Sequence, residues 1–263
     1  MIPRVLHYVW VGDQPLPAKV RINLETWSET HPNFAIHAWT NDNIAFDNPY
    51  LEHCRAHRHW ANASNYIRLQ KLLEQGGVYL DTDIMLMGSL VPMLRNKCFL
   101  GFQVEDEQKD RVNNAVFGAE PGHWFVEQCR THLLQNFDGS EPANHSSPRM
   151  VTQLLRQHGL GAYDRRGVTI KDIRIYPRPV FYPYSWEERF SLDAIRRETV
   201  AVHFWDKSWH PDKQMQPPNE QAAALAAKLA ALELEHHRLI RDALRVKRAA
   251  RITIRRKPRP RST

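Results

Sequence analysis

The sequence predicts an α/β fold, a mostly parallel sheet with helices on both faces, followed by a helical, basic C-terminal tail. Three observations carry this expectation. Strand-like and helix-like segments alternate from the first residues onward, 263 residues with 42% hydrophobic content suffice for one large core plus an appendage, and positive charge gathers at one end. Residues 219–263 hold 12 Lys or Arg against 4 Asp or Glu, so the tail carries +8 and the preceding 218 residues −1 of the net +7. A neutral body with a basic tail argues against a nucleic-acid enzyme, whose positive charge would line the body along the track of its substrate.

In chain order, residues 4–11 (RVLHYVWV) are rich in Val and aromatics and bounded by Pro3 and Gly12, which marks a first buried strand. A helix over 16–30 places Val20, Leu24 and Trp27 at helical spacing, and 33–39 (NFAIHAW) reads as a second strand. Asn41, Asp42 and Asn43 form a turn leading into short helices up to about residue 59. A stronger helix spans 62–75 and stops at Gly76 and Gly77; its buried stripe is expected to be Tyr66, Leu69, Leu72 and Leu73, with Asn65 and Arg68 sharing a polar face. Strands are expected at 78–81, 98–103, 113–118, 168–170, 173–176 and 199–204, and helices at 122–136 and 147–158. Ligands of such a sheet bind at the C-terminal ends of its parallel strands.

Beyond Pro217 and Pro218, Asn219 can cap a long helix in which Leu225, Leu229, Leu232, Leu239, Ala243, Val246 and Ala250 alternate steps of four and three, with His236 filling the gap. This heptad seam has two readings, docking on the body or contact with a membrane surface or partner protein through residues 219–263. The final RITIRRKPRPRS is expected to be disordered. The chain thus divides into 1–216, a catalytic domain, and 217–263, the tail. Cys54, Cys98 and Cys129 lie far apart without a CxxC pair, which argues against a disulfide framework or a structural zinc and fits a reducing cytoplasm. The N-terminus reads as a strand rather than a signal peptide, and no apolar run reaches the roughly 18 residues a membrane span needs.

The chemistry concentrates in VYLDTDI. Val78–Leu80 form a core strand, and the chain leaves the sheet at Asp81. Asp81 and Asp83 flank Thr82, so in extended backbone both carboxylates point to one side, where they can share a hard cation or divide between a cation and a ribose. Carboxylates placed directly after a core strand are costly to desolvate unless something positive stands there. Arg68, one helix earlier, can supply that charge, either by holding the aspartates or by binding a phosphate.

Several segments together resemble glycosyltransferase family 32, which comprises DxD-containing GT-A enzymes such as α-1,6-mannosyltransferases, capsular-polysaccharide transferases and, more distantly, the clostridial glucosylating toxins. The matching pieces are IPRVLHYVWVGDQPLP at 2–17, the helix and DxD at 61–87, GFQVED at 101–106, NNAVFGAEPGHW at 113–124 and HFWDKSW at 203–209, in that order. The resemblance implies a GT-A fold and a metal-dependent, nucleotide-sugar-dependent hexosyltransferase. It implies that Val9, Trp10 and Gly12 line the nucleotide, with Trp10 near the base; without the family, a Trp ending a first strand reads as core. Asp81 resembles the residue that contacts ribose and donor sugar and helps hold the metal, Asp83 the direct metal ligand, and Arg68 the arginine that reaches the donor. Asn114 falls in the segment that approaches the sugar, and its plain reading is a strand-end Asn satisfying a turn. His203 is the second metal candidate, alternatively a structural histidine; Ser208 and Trp209 are candidates for the donor diphosphate, Trp209 alternatively core. Where the family pattern reads SDYIR, this chain has Asn65, which retains size and one acceptor but loses charge and puts the donor sugar in doubt.

The implied cofactor is Mn²⁺ or Mg²⁺, the donor a UDP- or GDP-sugar, and the acceptor a glycan or lipid-linked hydroxyl in surface polysaccharide biosynthesis. Transfer is expected to retain anomeric configuration, with the protein cytoplasmic or peripheral at the inner face of the membrane. The alternatives are a degenerate sugar-nucleotide-binding protein without turnover, suggested by Asn65, and an adaptor acting through the tail.

Overall fold

The computed structural model describes residues 1–109, 111–206 and 220–256. Strand β1 (Val5–Val9) leads to helix α1 (Ala18–Thr30), strand β2 (Ala35–Trp39), helices α2 (Pro49–His57) and α3 (Trp60–Gln75), and strands β3 (Gly77–Leu80) and β4 (Ile84–Leu86). Strands β5 (Cys98–Phe102) and β6 (Val112–Ala119), helices α4 (Trp124–Asn136) and α5 (Met150–Gln157), strands β7 (Val168–Ile170), β8 (Ile173–Tyr176) and β9 (Ala201–His203) and helix α6 (Glu220–Arg256) follow. Most of the expected elements are present within a few residues of their expected bounds.

The main sheet has the order β2-β1-β3-β6-β5-β8-β7. Strands β1, β2, β3, β5 and β8 run one way, while β6 and β7 oppose their neighbours. The α/β expectation of a mostly parallel sheet therefore holds, with a reversal at its centre, where β6 inserts between β3 and β5. One core cluster, including Leu69, Leu72, Phe117, Phe125 and Leu154, lies on the side of α2 to α5. The other, including Leu6, Trp27, Leu80, Phe99 and Tyr182, lies on the side of α1. Burial of these two apolar faces supplies the main driving force for the fold.

Strand β4 was not among the expected strands. After the Asp-Thr-Asp turn the chain resumes as β4 and pairs antiparallel with β9, Ile84 opposite His203. Trp27 of α1 is fully buried and donates its indole N–H to the Ile84 carbonyl at 2.8 Å, which anchors this ribbon to the first helix.

Helix α3 departs from its expected faces. Leu69 and Leu72 are buried, but Tyr66 and Leu73 are only half-buried, whereas Asn62, Asn65 and Arg68 are buried. Its polar side is covered by the segment around residues 139–147, which satisfies Asn62 and Asn65 by hydrogen bonds. The glycine stop is real: at Gly77 (φ +103°) an added Cβ would lie 2.7 Å from the Val5 carbonyl and 2.8 Å from the His7 ring, so no larger residue fits where β3 joins β1.

Helix α6 rests on α1. His237 is buried and its Nε2 stands 2.8 Å from Asn23 Oδ1, Arg241 pairs with Glu25 at 3.0 Å, Arg245 pairs with Glu29, and Leu244 is buried. The docking face is not the heptad seam, since Leu232, Leu239 and Val246 are exposed. Cys54, Cys98 and Cys129 are buried and unbridged, and no described helix is long and apolar enough to cross a membrane. The expected cap Asn219, the candidates Ser208 and Trp209, and residues 257–263 lie outside the described residues.

Candidate active site

A cavity of about 1700 Å³ opens where β1 and β3 end. Both strands point their C-terminal ends into it, which is why Val9, Trp10 and Gly12 meet Asp81 and Asp83 there. Its size exceeds the roughly 300–1,000 Å³ of an ordinary small-ligand pocket, leaving room for a donor and part of an acceptor.

Its floor is the turn after β3. Asp81 ends the strand, its N–H donating to the Ala115 carbonyl of β6 at 2.9 Å, and its carbonyl accepts the Ile84 N–H at 3.0 Å. The segment 81–83 is thus a tight turn rather than extended backbone, and the two carboxylates converge through folding of the chain. Tyr79 donates its hydroxyl to Asp81 Oδ1 at 2.8 Å, and Arg68 Nη2 approaches the same oxygen at 3.0 Å. The Arg68 guanidinium also donates to the Asn114 carbonyl at 3.1 Å and lies 4.4 Å from the Tyr79 ring centroid. Burial works against the Arg68 charge, but Asp81 and the neighbouring acidic groups outweigh it and hold its pKa above the ordinary value.

Asp83 faces the other way. Its Oδ1 lies 3.0 Å from His203 Nε2, and its Oδ2 accepts the Asp206 N–H at 3.0 Å. His203 arrives because β9 pairs with β4, and the Phe204 N–H closes the junction on the Asp83 carbonyl at 3.0 Å. The imidazole packs against Trp205 and Tyr182, with centroids at 4.0 and 5.8 Å. Burial pushes the Asp83 carboxyl up, but His203 and the Asp206 N–H more than offset it and hold it below the usual carboxylate range. Burial pulls His203 down, but Asp83, Asp81 and Asp206 raise it above the ordinary histidine value.

Ligand atoms of Asp81, Asp83 and His203 all lie within 4.8 Å of one another, and among the described residues this is the one such group. Two carboxylates and an imidazole suit Mn²⁺ well, and Mg²⁺ through the carboxylates, so the donor set fits a divalent ion. A cation bound there requires His203 in its neutral form.

The other candidates fall as follows. Val9, Trp10, Gly12, Asn65 and Arg68 all line the cavity. The Trp10 indole N–H donates to the Gln14 carbonyl at 2.8 Å. Gly12 (φ +111°) exchanges two hydrogen bonds with the Asn41 side chain, at 3.0 and 2.9 Å, and an added Cβ would sit 2.8 Å from the Trp60 ring. Asn65 donates to the Ala143 carbonyl at 2.8 Å and to Ser146 Oγ at 3.2 Å. Asn114 is 1% exposed and stands behind the wall, where its Oδ1 accepts from Ser147 at 2.6 Å; its neighbour Asn113 reaches the cavity instead. Sequence reasoning missed Tyr79, Trp60 and Trp205. Tyr79 was accessible by strand alternation, being two residues before Asp81, whereas Trp60 and Trp205 carry no local signal.

Two family models match the chain. A glycosyltransferase sugar-binding region containing a DXD motif matches residues 17–100, and an alpha 1,4-glycosyltransferase conserved region matches 118–230. An uncharacterized glycosyltransferase of Acanthamoeba polyphaga mimivirus is 24% identical over 219 residues, 80% of this chain and 85% of that protein. Lactosylceramide 4-alpha-galactosyltransferase of Mus musculus is 26% identical over 153 residues, 55% of this chain, and the match spans 40% of that protein's length. Among solved structures, the galactosyltransferase LgtC in complex with donor and acceptor sugar analogs overlays with a TM-score of 0.46 at 15% identity, over 85% of this chain and 95% of that one.

Proposed function

We propose that this chain, which belongs to the DXD-containing glycosyltransferases, moves a hexose from a UDP- or GDP-sugar to a hydroxyl of a glycan or lipid-linked acceptor with the help of Mn²⁺ or Mg²⁺. The observation that carries this reading is the convergence of Asp81, Asp83 and His203 within 4.8 Å at the floor of a cavity large enough for both substrates.

Asp83 and His203, with Asp81 beside them, would hold the metal, and Asp81 would also contact the ribose and donor sugar. A bound divalent ion supplies positive charge to the departing nucleoside diphosphate. Asp81 needs a fixed orientation to do its part, and Arg68 and Tyr79 impose it by sharing its Oδ1. Val9, Trp10 and Gly12 form the wall for the nucleotide, where Gly12 keeps the backbone close to Trp60. Because these groups are held before substrate arrives, little reorganisation is needed as charge develops on the leaving group. Retention of configuration, a place in surface polysaccharide biosynthesis and a cytoplasmic setting at the inner membrane face rest on family resemblance.

The reading without turnover, raised by Asn65, is the alternative; the Asn65 amide holds the 143–146 segment, and the assay separates the two. Incubating the protein with a panel of UDP- and GDP-sugars and Mn²⁺ should release nucleoside diphosphate from at least one of them, and a chelator should stop the release. Absence of any metal-linked nucleotide binding would sink the proposal; binding without release would favour the degenerate reading.

A further inference from the structure

Helix α6 is used on one side only. The side that meets the body carries His237 and Leu244, both 2% exposed. The opposite side carries Leu232, Leu239 and Val246 at 67%, 60% and 71% exposure. These three are spaced by seven, which at 3.6 residues per turn keeps them on one stripe about half a turn from the docking face. Between them His236, Ala243 and Ala250 fill the alternate seam positions. A solvated surface helix has no need of three large apolar side chains at heptad spacing on its outer face.

We infer that this stripe pairs with the same stripe of a second copy, in a parallel two-stranded coiled coil that makes the protein a dimer. The argument for a second copy is charge complementarity. With Leu232, Leu239 and Val246 at the d positions, Lys228, Glu235 and Asp242 occupy g, and Glu233, Ile240 and Lys247 occupy e. In a parallel pair each g residue meets the e residue five positions later on the other chain. Lys228 then faces Glu233 of the second copy, and Asp242 faces Lys247 of the second copy, so both charged contacts are attractive and occur twice by symmetry. Asp242 accepts from Arg241 and Arg245 through Oδ1 alone, leaving Oδ2, and Lys247 spends one N–H on the Leu192 carbonyl.

Alanine and histidine in the seam would leave an isolated pair of such helices weak. Docking changes that balance, because α6 is already held on α1 by Asn23, Glu25 and Glu29, so association does not also have to order the helix. The docking residues His237 and Leu244 stand away from the seam, which leaves Leu232, Leu239 and Val246 exposed for a second helix. A lipid surface fits the stripe less well, since Glu235 and Asp242 border it.

Full-length protein in sedimentation equilibrium should show concentration-dependent doubling of mass. Replacing Leu239→Lys and Val246→Lys together should return it to monomer, with helical content and donor hydrolysis unchanged. Asp242→Lys alone and Lys247→Asp alone should each weaken the dimer, because like charges then face each other, while an equal mixture of the two variants should restore it as a heterodimer. A wild-type monomer at every attainable concentration overturns the inference. So does a dimer indifferent to the Lys pair, or failure of the mixture to recover, which would indicate an antiparallel or different interface. Monomer that floats with anionic vesicles and loses this with the Lys pair would assign the stripe to lipid instead.

Discussion

His203 Nε2 stands 3.0 Å from Asp83 Oδ1, although 119 residues separate the two in sequence between their positions. The contact exists because β9 lies antiparallel to β4, and it converts an Asp-Thr-Asp turn into a three-ligand cluster. Replacing Asp83→Asn or His203→Gln should therefore lower Mn²⁺-dependent donor hydrolysis by at least about 100-fold, since even partners outside the ligand set cost about 10–100-fold at metal sites. A second readout is thermal: metal at 100 times its Kd stabilises a protein by about 2.7 kcal/mol, and this Mn²⁺-induced rise in Tm should disappear in both variants.

Arg68 is 5% exposed and shares its guanidinium between Asp81 and the Asn114 carbonyl. Arg68→Ala leaves Asp81 without its cation and should cost about 3–5 kcal/mol in urea unfolding. Arg68→Lys keeps the charge but lacks the planar fork that reaches both partners, so it should recover part of the stability and little of the turnover. Equal turnover for Lys and Arg would show that the fork plays no part in positioning Asp81.

Asn65→Asp restores the usual family residue but places a carboxylate against the Ala143 carbonyl, where an amide N–H now donates at 2.8 Å. Loss of a buried donor of this kind costs about 1–3 kcal/mol. The expected result is a lower unfolding midpoint without a gain in transfer. Faster transfer in the Asp variant would instead support the view that this chain had lost its original donor contact.

Three buried histidines make stability depend on pH. Burial is the first cause that lowers His7, His31 and His237 from 6.5 to about 4. The hydrogen bonds agree, since His7 Nδ1 accepts from the Trp39 indole at 3.2 Å and His31 Nε2 accepts from the Leu90 N–H at 2.8 Å, and neither nitrogen can do so when protonated. With the folded pKa below the unfolded one, the unfolded chain binds more protons between pH 6.5 and 4. Their contribution is fully present above pH 6.5 and is lost as pH falls toward 4, by up to about 1.4 kcal/mol per pH unit for each histidine. Urea midpoints measured from pH 7 to pH 4.5 should fall, and Trp39→Phe, which removes the donor to His7, should flatten the slope.

Local chemistry made much of the molecule readable in advance. Helix α3 announced its end through Gly76 and Gly77, β1 announced itself between Pro3 and Gly12, and the paired aspartates followed a strand of three buried residues. Each of these signals lies within one helix or strand, where backbone sterics and side-chain periodicity act over a few residues. The seam of α6 was equally plain as a spacing.

Tertiary structure alone decided which of these features meet. The sequence by itself determined that Asp81, Asp83 and Arg68 would lie near the end of a core strand, but the Asp83 partner depends on β4 pairing with β9, a contact between segments far apart in the chain. Side-chain alternation along β6 puts Asn113 at the cavity and Asn114 behind it, and the cover supplied by residues 139–147 buries the polar side of α3. The seam of α6 faces outward because the face that meets α1 is the one carrying His237, Leu244 and the arginines that pair with Glu25 and Glu29. Long-range pairing and competition between two faces of one helix are properties of the whole chain, and no local pattern encodes them.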